Sequence, residues 1–358
     1  MKYSRVVKYW LFLGLFLVFM QIVIGGITRL TGSGLSITEW DIVMGTFPPF
    51  GEEAWNIEFS KYQETPQYKK INQGMSLSEF KFIYFWEYFH RLWARMMGFI
   101  FLIPFVIFAV LKMIDTKMMK RLGVVISFAG LAAIFGWIMV ASGLINRPWV
   151  NAYKLSIHLS IGISVFISLL WVILESFYSV KWKGISPQSV HWRKPILYLF
   201  ILLCVQIVFG GMVSGMRAAL PFPTWPDMNG SFIPEVLMNS ENWSWYNLSN
   251  YESSTFAPAL VQFLHRNTAY LITFISIVLL YQFIKRKDLY FVKPFVIIYF
   301  SLLVLQVLLG ILTLLNSLGT IPVGLGVMHQ DVGVLLLGSM YVILFATLKA
   351  TNKNYVAS

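Results

Sequence analysis

Eight apolar runs dominate the chain, each near or above the roughly 20 residues that a helix needs to cross a bilayer. They cover residues 8–27, 83–111, 122–142, 153–174, 195–215, 257–284, 293–315 and 322–348. The lipid core offers backbone N–H and C=O groups no water, so segments of this length satisfy them internally as helices. The expected fold is therefore an all-α polytopic membrane protein with eight transmembrane helices. Composition agrees, since 57% of the residues are hydrophobic and 12% charged, against about 45–50% and 25% in soluble domains.

A net charge of +12 could signal nucleic acid, but the bases sit between apolar runs rather than on one face, so no nucleic-acid partner is expected. The connections after the second, fourth and sixth runs are short and basic. They hold Lys112, Lys117, Lys120 and Arg121, then Lys181, Lys183, Arg193 and Lys194, then Lys285, Arg286, Lys287 and Lys293. With Lys2, Arg5 and Lys8 before the first run and Lys349 and Lys353 after the last, one side carries seventeen of the 28 basic residues. The positive-inside rule places that side, and both termini, in the cytoplasm. The lone cysteine, Cys204, lies inside a run and has no partner for an intramolecular disulfide. The first run is too long for a cleavable signal and lacks a small-residue cleavage site.

The opposite side carries the long connections, 28–82 and 216–256, rich in Gly, Pro, Trp and acidic residues. Loops of this length bind something or cover a site. Most of Trp40, Trp55, Trp225, Trp243 and Trp245 read as aromatic anchors at the outer interface. Ser76 or Ser78 is placed to cap a helix that runs straight into the second run.

With the loops set aside, an internal repeat emerges. Gln21-Ile-Val-Ile-Gly25-Gly26 returns as Gln206-Ile-Val-Phe-Gly210-Gly211, and Glu87-Tyr-Phe-His90-Arg91 as Gln262-Phe-Leu-His265-Arg266. His158 and His329 form a further pair, and Gln306 and Gly310 of the seventh run match Ala132 and Gly136 of the third. This order predicts a duplicated four-helix unit, 1–180 and 181–358, whose copies share one orientation because four spans separate them. The small residues permit close helix approach, and the glutamines suit interhelical hydrogen bonds.

At about 1.5 Å per residue from the outer ends of their runs, His90, His158, His265 and His329 fall at one level, in the outer half of a core about 30 Å thick. An imidazole at that depth is costly, and four at repeated positions argue for a shared task. His191, in a basic loop, reads as merely solvated. With no cysteine nearby and Glu87 the one neighbouring carboxylate, the candidates are haem iron, copper or zinc. Two histidines from two helices in each unit suit a planar macrocycle held from both faces, within a helix bundle. Arg91 and Arg266, each next to a histidine, either pair with propionates or snorkel outward. Arg29 and Arg217 have the same two readings.

The two histidine-arginine stretches differ in one carboxylate, Glu87 against Gln262. Glu87 and His90, three residues apart, project from one helix face about 5–6 Å apart at Cβ. The acid can then accept or relay protons where the amide cannot. A plain ion pair with Arg91 or Arg95 is the structural alternative.

Over nearly its whole length the chain resembles the haem A synthase family in its proteobacterial and mitochondrial form. The resemblance rests on Thr28-Arg-Leu-Thr-Gly-Ser-Gly-Leu-Ser-Ile-Thr-Glu-Trp40 with Pro48-Pro49, on the two histidine-arginine stretches, and on Gly136-Trp-Ile-Met-Val-Ala-Ser-Gly143. Thr224-Trp-Pro-Asp-Met-Asn-Gly230, Leu309-Gly-Ile-Leu-Thr313 and His329-Gln330 add to it. The cysteine pair that the Gram-positive branch carries in its outer loops is absent. The resemblance implies an oxidoreductase of the bacterial inner membrane that oxidises the C8 methyl of haem O to a formyl group by two successive hydroxylations, giving haem A for cytochrome oxidase. It implies haem O between His90 and His158, with Arg91 as a further contact and Glu87 catalytic. A haem b cofactor then sits between His265 and His329, with Arg266. Haem O synthase and oxidase assembly factors are the implied partners; an electron-transfer partner is expected but not identified, and a homo-oligomer is left open because lipid-facing and partner-facing apolar surface look alike. Two other readings stay open: a di-haem b-type electron-transfer cytochrome, and a haem-carrying assembly protein. The first would treat the two haems alike and has no need of Glu87, and the second would suit the long outer loops.

Overall fold

The structure, a computed structural model, describes residues 3–39, 47–144, 147–177, 190–285 and 292–351. Lys2, Trp40, Lys181, Lys183, Arg286, Lys287 and Lys353 lie outside these, as do the side chains of His191 and Lys349. Among the described residues, eight helices are long and apolar enough to cross a membrane. They are α1 (Arg5–Leu30), α4 (Leu77–Val110), α5 (Thr116–Gly143), α6 (Ala152–Phe177), α7 (Val190–Gly215), α10 (Phe256–Lys285), α11 (Lys293–Leu315) and α12 (Val323–Thr351). All eight apolar runs are thus helices, most of them longer than the run by a few polar residues at one end. The chain is a multi-pass membrane protein. Among the described residues, β-type pairing is confined to one isolated bridge, Met228 with Ser231.

The chain packs as two units, Phe12–Phe166 and Met1–Leu11 with Ile167–Ser358, called below the N-terminal and C-terminal units. In the N-terminal unit, part of the long connection folds into α2 (Gly51–Gln63) and α3 (Pro66–Lys70), which pack on the start of α4. That start is fixed by a capping box: Ser76 Oγ accepts from the Glu79 amide while Glu79 reaches back to the Ser76 amide. One extra polar turn therefore precedes the lipid-spanning part of α4. The cap has its own aromatic core of Tyr62, Phe80 and Tyr84, with Trp55, Phe59 and Tyr68 against it. Trp55 is thus a packing residue, whereas Trp243 and Trp245 of the other long connection are 58% and 80% exposed, as interfacial anchors would be.

Tyr62 is fully buried, stacks on Phe80 at 5.1 Å, donates to Gln67 Oε1 at 3.1 Å and accepts from Asn72 Nδ2 at 2.7 Å. Gln67 in turn donates to the Gly32 carbonyl at 2.9 Å, tying the cap to the turn after α1. Tyr62→Phe leaves the buried Gln67 Oε1 without its donor and the half-buried Asn72 amide without its acceptor, at a cost of about 1–3 kcal/mol. Faster hydrogen exchange across 62–72 is the expected readout. Burial pushes the Tyr62 phenol up to about 12, against the opposing Asn72 donor. The neutral form is the one the fold stabilises, so this contribution is intact below about pH 10 and is lost as pH rises through about 12.

In the C-terminal unit, α7, α10, α11 and α12 pack together. A buried hydrogen bond of 2.7 Å joins Ser276 of α10 to Tyr299 of α11. The long connection carries α8 (Glu235–Met238), a 3₁₀ turn at Ser240–Asn242 and α9 (Trp245–Ser249). Leu237 anchors it against Phe256 and Ala259 at the head of α10.

Candidate functional site

Each of the four membrane histidines brings its Cε1 against a glycine of a neighbouring helix. A Cβ added to Gly25 of α1 would stand 3.2 Å from His90 Cε1, and one added to Gly136 of α5 would stand 3.1 Å from His158 Cε1. In the C-terminal unit the matching distances are 3.2 Å for Gly210 of α7 and His265, and 2.8 Å for Gly310 of α11 and His329. Only glycine lets the ring approach the backbone this closely. The residue one turn earlier completes each cradle. Gln21 Nε2 lies 3.1 Å and 3.3 Å from the two ring nitrogens of His90 and donates to its carbonyl at 3.3 Å. Gln206 Nε2 lies 3.3 Å from His265 Nε2, and the Gln306 carbonyl meets His329 Nδ1 at 3.2 Å. The interhelical side-chain hydrogen bonds expected of the glutamines form for Gln21 and Gln206 and end on the histidines, whereas Gln306 meets His329 through its main-chain carbonyl.

The cradles leave polar atoms unanswered. Oε1 of Gln21, Gln206 and Gln306, and Nδ1 of His158 and His265, are buried without a hydrogen-bond partner. Such atoms are rare and costly in a finished core, and they mark a place where a further group belongs. The His265 and His329 rings face each other edge to face, with centroids 6.3 Å apart. Two metal–nitrogen bonds of about 2.0–2.1 Å with half an imidazole at either end come to about the same length, so the pair fits one metal ion. Among the described residues, no three His, Cys, Asp or Glu side chains gather into a metal site. Two imidazoles per metal therefore suit a macrocycle that brings its own equatorial donors, and haem fits the residues present.

Glu87 is 2% exposed and fully engaged. Its Oε2 accepts from the Ser36 amide at 2.7 Å, the Ser36 hydroxyl at 2.8 Å and the Ile37 amide at 2.9 Å; its Oε1 takes Arg91 Nη2 at 2.5 Å. Arg91 also donates to the carbonyls of Glu39 and Ile37, at 3.1 Å and 3.4 Å. The segment after α1 is thus latched onto α4, and Leu35, 1% exposed, wedges against Gly143 at the end of α5. The C-terminal unit builds the matching latch from neutral partners. Gln262 Nε2 donates to the Phe222 carbonyl at 3.0 Å; Arg266 donates to the carbonyls of Phe222 at 3.1 Å and Asp227 at 2.6 Å. Asp227 itself is held below the usual carboxylate range by the Thr224 hydroxyl and then the Gly230 amide.

Chain-wide comparison agrees with this arrangement. Residues 8–341 match the family described as cytochrome oxidase assembly protein. The haem A synthase of Flavobacterium psychrophilum is 37% identical over 343 residues, spanning 95% of this chain and 97% of its own. That of the Wolbachia of Brugia malayi is 40% identical over 342 residues, covering 94% and 96%, and that of Pelagibacter ubique 36% over 344, covering 96% and 97%. The chain belongs to the haem A synthase family.

Against that family frame, His90 and His158 fall in the N-terminal unit, and His265 and His329 together in the C-terminal unit. Glu87 forms the ion pair with Arg91 that the sequence left as its alternative. Arg91 and Arg266 both hold loop carbonyls, and Arg266 keeps a buried Nε without a partner. Arg91 and Arg95 also line a cleft of about 330 Å³ with Ile37, Pro48 and Tyr84. Arg29 occupies the last turn of α1, and Arg217 follows α7 in a left-handed conformation, φ 52°. Sequence reasoning missed Ser36 and Ile37 as partners of Glu87, and Phe222 and Asp227 as partners of Arg266. The signal for Ser36, Ile37 and Asp227 was present as Leu35-Ser36-Ile37 and Thr224-Trp225-Pro226-Asp227, stretches that had carried the family resemblance without a role, whereas Phe222 had no such signal.

Proposed function

We propose that the protein is a haem A synthase, an integral oxidoreductase of the bacterial inner membrane with both termini in the cytoplasm, which converts the C8 methyl of haem O to a formyl group. The observation that carries this reading is the pair of unlike sites. Two glycine-cradled histidine pairs recur in two units, and they differ three residues before the first histidine of each pair. There the pair at His90 and His158 has the acid Glu87 and the pair at His265 and His329 has Gln262; the second unit's own acid, Asp331, instead follows His329 by two residues. On this reading 1–180 is a substrate unit and 181–358 a cofactor unit, the products of a tandem duplication.

Haem O binds between His90 and His158, and haem b between His265 and His329. When bound, haem b supplies one-electron transfer. The Gln21 amide fixes the plane of His90, and Gln206 does the same for His265. Arg266 offers its remaining buried donor to a propionate, and Arg91 presents its charge at the cleft beside Arg95 to the carboxylates of the substrate. Leu35 and the latched segment 36–39 exclude bulk water from the outer end of the substrate unit. Two hydroxylations by water give the gem-diol R–CH(OH)2, which loses one water. The net conversion is therefore R–CH3 + H2O → R–CHO + 4 H⁺ + 4 e⁻, with the four electrons passing to an external one-electron acceptor. Glu87, charge-balanced by Arg91, takes up protons released at the methyl carbon and stabilises positive charge that develops there.

Extracting the pigments of the purified protein and separating them by chromatography tests this. Haem O or haem A together with haem B is expected. Haem B alone, with no haem A formed when haem O is supplied, rejects the synthase in favour of an electron carrier.

A further inference from the structure

The two arginines that follow the first histidine of each pair are alike in sequence and unlike in charge balance. Arg91 has its counter-ion one turn back, where Glu87 Oε1 accepts from Nη2. Glu87 is itself complete, since its Oε2 takes the Ser36 amide and hydroxyl and the Ile37 amide. Arg266 is 9% exposed and meets main-chain carbonyls, Phe222 through Nη2 and Asp227 through Nη1. One turn back from it stands Gln262, an amide that cannot neutralise it and that donates to the same Phe222 carbonyl at 3.0 Å. The Asp227 carboxylate is turned elsewhere, to the Thr224 hydroxyl and the Gly230 amide. Among the described residues, Arg266 takes part in no ion pair. Its Nε and Gln262 Oε1 are buried without a hydrogen-bond partner, and neither Glu87 nor Arg91 leaves such an atom. A buried charge is stable in a fold only when something pairs with it.

From this we infer that Gln262 keeps Arg266 uncompensated so that a propionate of the resident haem becomes its counter-ion, and that the residue at this repeat position sets how long each unit keeps its haem. The inference rests on the haem placement proposed above and deepens it. The propionate takes the Arg266 Nε–H and supplies the negative charge that Glu87 supplies in the other unit. A water that comes with it answers Gln262 Oε1. In the N-terminal unit the matching arginine is already neutralised by its own chain, so a carboxylate arriving there is held less firmly. The difference follows the two tasks, since a cofactor stays through every turnover whereas a substrate enters and its product leaves. Gln262 is a positioning residue that acts through Arg266.

Transfer of haem to excess apomyoglobin measures residence. The full-length protein as purified is mixed with apomyoglobin, and the haem B left on the chain is followed by chromatography, which separates it from haem O and haem A. A second sample is stripped and reloaded with iron protoporphyrin IX dimethyl ester, which keeps the macrocycle and lacks both carboxylates. The wild type is expected to release the ester about 10–100-fold faster than haem B, as the loss of one hydrogen bond between charged groups requires. Gln262→Glu gives Arg266 a counter-charge from its own chain. It is expected to release haem B about 10–100-fold faster than the wild type, and the ester at the wild-type rate. Should that variant not accumulate, the comparison of the two porphyrins on the wild type needs no substitution. Equal release of both porphyrins by the wild type overturns the inference. So does a Gln262→Glu variant that keeps haem B as long as the wild type, or one that sheds both porphyrins equally faster, as a merely structural role would make it do. A purified chain without haem B, or one whose haem B stays as firmly bound in His265→Ala, instead rejects the ligation itself.

Discussion

Glu87→Gln is expected to lower haem A formation by about 10²–10⁴-fold, the range for losing a general acid or base, while leaving haem b in the C-terminal unit. The substitution keeps the size of the side chain, so the effect is one of charge and donor pattern. All four groups around the carboxylate are donors: two amides, a hydroxyl and a guanidinium. An amide can satisfy one side with its oxygen, but its NH2 then faces donors on the other. If the oxygen stays with Ser36 and Ile37, Arg91 loses its counter-charge where its side chain is only 12% exposed. Breaking one partner out of a buried pair costs about 3–5 kcal/mol, enough to loosen segment 36–39. Loss of the latch and loss of the acid are therefore superimposed in this variant. Combining it with Arg91→Gln removes the stranded charge and separates them. Hydrogen exchange at 35–39 reports the latch, and chromatographic quantitation of haem A reports the chemistry. Activity that returns with the latch reduces Glu87 to a positioning group; a restored latch with activity still absent leaves the carboxyl group in the reaction.

The parts of the fold that water dictates were legible in the sequence, and the parts that contact geometry dictates were not. The eight spans were read from hydropathy alone, because no other backbone solution survives in lipid. The cap at Ser76 was read from its chemistry, and the glutamine at position 306 and the glycine at 310 from the repeat. The small helices α2 and α3 were not read. Gly51–Gln63 mixes Glu52, Glu53 and Lys61 with Trp55, Ile57 and Phe59, and its apolar face finds its partner only on α4. Position 87 shows the same limit from the other direction. The acid stood out against Gln262, yet its partners Ser36 and Ile37 lie fifty residues earlier in a connection without periodicity. The glycines carried a true but incomplete signal, since close helix approach was expected of them and what they admit is the Cε1 edge of an imidazole.

That last point gives the C-terminal site its most sensitive position. Gly310→Ala is expected to strip haem b from the protein, taking the haem content of a fully loaded chain from about two to about one, with retention weakened about 10–100-fold. The added methyl would stand 2.8 Å from His329 Cε1 and 3.4 Å from its Nδ1. The ring cannot simply step aside, because Nδ1 is tied to the Gln306 carbonyl of the same helix, α11, that bears the new methyl. Either that hydrogen bond breaks or α11 and α12 move apart, and overpacking of this kind costs about 1–3 kcal/mol. The other three cradles, at 3.1–3.2 Å, need only a few tenths of an ångström, so Gly25→Ala and Gly210→Ala are expected to retain most of their haem with altered spectra. Gly162→Ala serves as the control, since its methyl meets nothing within 4 Å. Reduced-minus-oxidised spectra with pyridine haemochrome quantitation resolve the series. The ordering Gly310 well below Gly25 and Gly210, with Gly162 unchanged, is what the distances require. Two haems with an unaltered spectrum in Gly310→Ala would mean that His329 does not bind iron through the edge that this glycine accommodates.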